Sequence, residues 1–79
     1  MTLGQAVAKR TKELLANNKK SQYRLVKDTC LDKTTIQSIL KGKTKDIKLS
    51  TVLLIANFFK LTLSQFLDGY DFEFANIEI

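Results

Sequence analysis

The chain has 79 residues, 44% hydrophobic and 27% charged, the composition of one small globular domain rather than a disordered segment. It has no histidine and a single cysteine, Cys30, which excludes an internal disulfide, a Cys/His zinc site and any nucleophile activated by histidine. Its three glycines, Gly4, Gly42 and Gly69, lie too far apart for a phosphate-binding loop or a dinucleotide turn, so neither an enzyme nor a cofactor or metal site is expected.

Apolar spacing of three and four residues runs through most of the chain, which predicts an all-α fold. The first helix is expected over about Leu3 to Asn17, with Leu3, Val7, Leu14 and Leu15 near one face and Thr11 filling the stripe. Asn17, Asn18, Lys19 and Lys20 supply turn formers and C-terminal cations. Ser21 is an N-cap for a second helix, Gln22 to Thr29, with Leu25 and Val26 buried. A break at Cys30-Leu31-Asp32 follows, and Asp32 is placed to cap a third helix, Lys33 to Lys41. Gly42 stands where a helix end takes a left-handed residue.

After the polar, basic loop Gly42-Lys43-Thr44-Lys45-Asp46, a fourth helix is expected over about Leu49 to Phe59. It is apolar nearly all round, which predicts a place at the centre of the core. Thr62 with Gln65 reads as a capping box opening a short fifth helix to Leu67. Beyond it, Tyr70, Phe72, Phe74, Ile77 and Ile79 alternate with polar or small residues, a strand-like period that predicts a short extended tail. The domain reading is residues 1–68 as a compact five-helix unit and 69–79 as an acidic-aromatic tail.

Charge is unevenly spread. All thirteen bases lie in residues 1–67 against Glu13, Asp28, Asp32 and Asp46, a net +9, whereas residues 68–79 carry four acids and no base. A basic body suggests a polyanionic partner. The longest apolar run, Val52 to Ala56, is far short of the ~20 residues of a membrane span. Met1-Thr2-Leu3-Gly4 lacks the basic-then-apolar order of a signal peptide, and with one thiol the expected compartment is the cytoplasm.

The informative segment runs from Ser21 to Lys43. Two short capped helices joined by a three-residue break have helix-turn-helix spacing, in which the second helix enters the major groove. At about 100° per residue, Lys33, Thr34, Gln37, Ser38 and Lys41 fall within roughly 140° of arc. Ile36, Ile39 and Leu40 take the opposite side. Such an arc is often only a solvated face. Here it coincides with the helix spacing, the basic loop and the +9 body, and it holds no acid. Its groups suit base edges and phosphates, which favours double-stranded DNA as the partner.

The segment resembles the DNA-binding domain of lambda-repressor-like, Cro-like regulators, the XRE family, over about Ala6 to Asp68. Gln22 matches the glutamine that opens the first motif helix, and Leu25, Leu31, Ile36 and Ile39 match core positions. Gly42-Lys43 resembles the turn after the recognition helix, Leu49 to Ala56 the central fourth helix, and Leu61 to Leu67 the fifth. Three positions depart: Val26 stands where the family has alanine, Cys30 where it has glycine, and Lys20 where it has an apolar residue. Glycine serves a positive-φ turn, so Cys30 is expected to enter it at about 1 kcal/mol and to pack as a small buried hydrophobe.

The resemblance implies base reading by Lys33, Thr34, Gln37 and Ser38. It implies phosphate contacts from Gln22, Tyr23, Thr35, Lys41, Lys43, Thr44 and Lys45. It further implies a homodimer on an inverted-repeat operator, acting as a transcription regulator of prophage or mobile-element repressor type. No small-molecule effector unit is evident in the sequence, so regulation is expected through concentration, dimerisation or a partner. Phe66, Tyr70, Phe72, Phe74, Ile77 and Ile79 are candidates for the dimer contact, or else the tail folds back over its own helices. A second class is an antitoxin or co-regulator that grips a protein through this tail. RNA binding ranks third, because stacking aromatics are missing from the basic elements.

Overall fold

Thr2 begins the first helix with a reciprocal cap: its hydroxyl accepts from the Gln5 amide N–H at 3.2 Å, and the Gln5 side chain accepts from the Thr2 N–H at 2.9 Å. The computed structural model describes residues 1–69 and 72–78. Its helices are α1 (Leu3–Asn17), α2 (Gln22–Thr29), α3 (Lys33–Leu40), α4 (Leu49–Phe58) and α5 (Leu63–Phe66), with no sheet among the described residues. Ser21 caps α2 through the Arg24 N–H, and Thr62 with Gln65 forms the box expected for α5. Asp32 stands at the N-cap of α3, but its side chain makes no capping bond.

Three helices end in the same way. The N–H of Lys20, Lys43 and Leu61 reaches back to the carbonyl of Leu15, Ser38 and Ala56 respectively, and the residue before each is left-handed. Glycine takes that place once, at Gly42 (φ 69°), and lysine twice, at Lys19 (φ 53°) and Lys60 (φ 59°). The Lys20 ammonium then lies 5.5 Å from the centre of the Phe58 ring, a favourable use of a base where an apolar residue was expected.

One core joins Val7 and Leu14 of α1, Leu25 of α2, Ile36, Ile39 and Leu40 of α3, Val52, Ile55 and Ala56 of α4, Phe59 and Phe66. α1 packs on α3, α2 on α3 and α4, and α4 on α5. The buried Thr11 hydroxyl donates to the Val7 carbonyl at 2.7 Å, which lets a polar residue sit in the apolar stripe. Arg10 donates to the carbonyls of Phe66 and Gln65, at 3.0 and 3.1 Å, and so fastens the end of α5 to α1.

α4 is not central on all sides. Val52, Ile55 and Ala56 are buried, but Leu49, Leu53 and Leu54 are 63%, 53% and 42% exposed. A chain this short has too few elements to surround a helix, and α2 and α5 cover only part of it.

The tail departs from the strand-like expectation. Phe72 packs against Phe66, ring centres 6.3 Å apart, and Phe74–Asn76 form a 3₁₀ turn. Glu78 then pairs with Thr2 in an isolated parallel bridge, its N–H donating to the Met1 carbonyl at 2.8 Å. The N-terminal ammonium donates to the Asn76 carbonyl and lies 3.6 Å from the Glu78 carboxylate. No neighbouring strand among the described residues offers a ladder, so the aromatic side chains and the N-terminal backbone set the path instead. Phe66 is fully buried inside the monomer, which removes its side chain from any dimer contact. Tyr70 and Ile79 lie outside the described residues.

Candidate nucleic-acid interface

The angle between α2 and α3 is set by three consecutive residues. Thr29 is buried, its hydroxyl donating to the Leu25 carbonyl at 2.6 Å and accepting from the Leu31 N–H at 3.4 Å. Cys30 is left-handed (φ 60°, ψ 19°), and Leu31 turns back to pack on the core. Cys30 itself is exposed rather than buried, because Leu31 takes the inward place at this corner. A cysteine so placed carries left-handed strain with no burial to offset it. Cys30→Gly is therefore expected to stabilise the fold by up to about 1 kcal/mol. A rise of some ~4–8 °C in thermal midpoint is the matching readout, and a fall would refute the strain argument.

α3 is two-sided, as its sequence requires. Ile36, Ile39 and Leu40 are buried; Lys33, Thr34, Thr35 and Lys41 are exposed; Gln37 and Ser38 are half-buried at the border. Two depressions meet along its α2 side. Gln22, Tyr23, Val26 and Lys33 line one, and Gln22, Gln37, Lys41 and Lys12 line the other, over Leu15, Ala16 and Leu40. The start of α2 thus stands beside the polar arc of α3. On the opposite flank Thr35 faces Thr44, Asp46, Lys48 and Thr51. Lys43 and Lys45 are exposed on the intervening loop.

That loop is held at both ends. The Lys43 N–H donates to the Ser38 carbonyl at 3.1 Å, and the Lys45 carbonyl accepts from the Gly4 N–H at 3.0 Å. Gly4 lets α1 approach so closely that a Cβ there would lie 1.6 Å from the Thr44 carbonyl oxygen. Among the bases, Arg24 is paired with Asp28 at 3.0 Å and Arg10 is spent on the end of α5.

A model of the Cro/C1-type helix-turn-helix DNA-binding domain matches residues 10–71. The chain belongs to this family. No curated protein and no solved structure matches it significantly. A Cro/C1-type domain is a DNA-binding transcriptional regulator, and both helices of its motif, α2 and α3, lie inside the matched span. No helix among the described residues is long and apolar enough to cross a membrane. No group of three or more His, Cys, Asp or Glu among them could hold a metal ion.

Four residues outside the contacts expected from the sequence shape or border this face: Gly4 and Thr29 fix the loop and the corner, and Lys12 and Lys48 line the depressions beside α3. Thr29 had a sequence signal, a hydroxyl one turn after Leu25 at a helix end. Gly4 and Lys12 had none, since each meets this face through an element distant in the chain.

Proposed function

We propose that the chain is a sequence-specific, dimeric repressor of phage or mobile-element type, with α3 in the major groove of an inverted-repeat operator. The observation that carries this reading is the polar side of α3, with Lys33, Thr34, Thr35 and Lys41 exposed, Gln37 and Ser38 half-buried at its border and the isoleucines buried, flanked by the start of α2 and by the Lys43–Lys45 loop. Lys33, Thr34, Gln37 and Ser38 would read base edges. Gln22, Tyr23, Thr35, Lys41, Lys43, Thr44 and Lys45 would hold phosphates and set the register. For the two-fold contact, Phe72 and Ile77 are partly buried in the monomer, while Phe74 is 79% exposed and Leu49, Leu53 and Leu54 add an apolar face of α4.

Selection of bound sites from random duplexes, followed by titration at several salt concentrations, tests the reading. Two related half-sites about one helical turn apart are expected. A lone half-site would overturn the dimer, and no enriched motif would overturn sequence-specific binding. Thr34→Ala or Ser38→Ala should relax preference at particular base pairs, whereas Lys43→Ala should weaken binding to every sequence and lower the salt slope by about one. An identical motif from the Thr34 and Ser38 variants, or an unaltered slope for Lys43→Ala, would refute those roles.

A further inference from the structure

We infer that the depression between α1 and α3 seats a phosphate of the DNA backbone, with Lys12 contributing a cation from outside the helix-turn-helix. The inference rests on the DNA-binding reading and extends its footprint to α1. The depression has a volume of about 560 Å³, with Lys12 and Lys41 on its rim, Gln22 and Gln37 beside them, and Leu15 and Leu40 below. Lys12 and Lys41 also border the adjoining hollow of about 280 Å³, where Glu13 is the acid present. Neither lysine's side chain makes an ion pair or hydrogen bond among the described residues.

Two cationic side chains without ion-pair partners border one hollow, and a phosphodiester monoanion seated there is attracted by both. The side amide of Gln22 offers an N–H donor to the same anion, and Gln37 beside it marks where the hollow meets the base-reading arc. An apolar floor suits the deoxyribose carbons that flank a phosphodiester and gives nothing to a free, fully hydrated phosphate. The hollow also shares Gln37 and Lys41 with the outward arc of α3. A duplex lying on that arc therefore brings its backbone to the hollow's edge.

Lys12→Gln in the full chain, titrated with the selected duplex, tests this. The salt slope should fall by about 0.9, which corresponds to about eightfold weaker binding at 0.1 M salt, while the selected motif and the thermal midpoint stay as in wild type. Lys12→Arg should restore the slope. Phosphate-ethylation interference should show one position at which modification blocks the wild-type protein and not Lys12→Gln. An unchanged slope, or a lowered slope with the same interference pattern, overturns the phosphate seat and leaves the DNA-binding reading intact. Wild-type binding with no salt dependence would instead remove that reading.

Discussion

Gly4→Ala is expected to remove about 3 kcal/mol of stability and to displace the basic loop. A Cβ at this position meets the Thr44 carbonyl oxygen at 1.6 Å, its carbon at 2.7 Å and the Lys45 oxygen at 3.2 Å. These are backbone atoms, so no side-chain rotation relieves the clash. Separating α1 from the loop also breaks the Gly4 N–H to Lys45 bond, a net loss of about 0.5–1.5 kcal/mol. Overpacking adds about 1–3 kcal/mol. A domain of this length has about 4–12 kcal/mol in all, and each 1 kcal/mol moves the midpoint by about 4–8 °C. Thermal unfolding should therefore drop by ~12 °C or more. DNA binding should weaken even at temperatures where the variant is folded, because Lys43 and Lys45 move with the loop. A midpoint within ~2 °C of wild type would show that the approach of α1 to the loop is not tight.

Phe66→Ala is expected to cost about 3–5 kcal/mol, the largest effect of any single truncation considered. The side chain is fully buried, packs against Phe72, and belongs to the residue whose carbonyl accepts from Arg10. Its loss empties the junction of α1, α5 and the tail together. The destabilisation should be independent of protein concentration. A dimer contact would behave otherwise: its truncation would leave the monomer's unfolding midpoint intact and shift only the association constant. Denaturant unfolding at two protein concentrations separates the two outcomes, and a concentration-dependent loss would return Phe66 to the interface.

The fate of α4 shows where local pattern stops being informative. A helix apolar on every side belongs at the centre of a large core, but this chain has too few partners to enclose one. Leu49, Leu53 and Leu54 consequently remain on the surface. The tail makes the same point from the other direction. Its period-two alternation is a strand signal only where a second strand can accept the ladder, and Thr2 provides a single bridge. At Cys30 the residue type suggested burial, while the left-handed corner between α2 and α3 set its exposure.

What the amino-acid order determined alone is whatever depends on neighbours within about one turn. The capped starts of α1, α2 and α5, the left-handed end of α3 at Gly42, and the division of α3 into isoleucine and polar sides are all of this kind. Hydrogen bonds and side-chain directions inside a turn are set by the residues of that turn, with Asp32, which makes no capping bond to α3, as the exception. The close approach of Gly4 to Thr44, the burial of Phe66, the exposed flank of α4 and the meeting of Lys12 with Lys41 were decided by tertiary structure. Each depends on which helices share a face, and that choice is made by packing the whole apolar surface at once rather than by any segment of the chain.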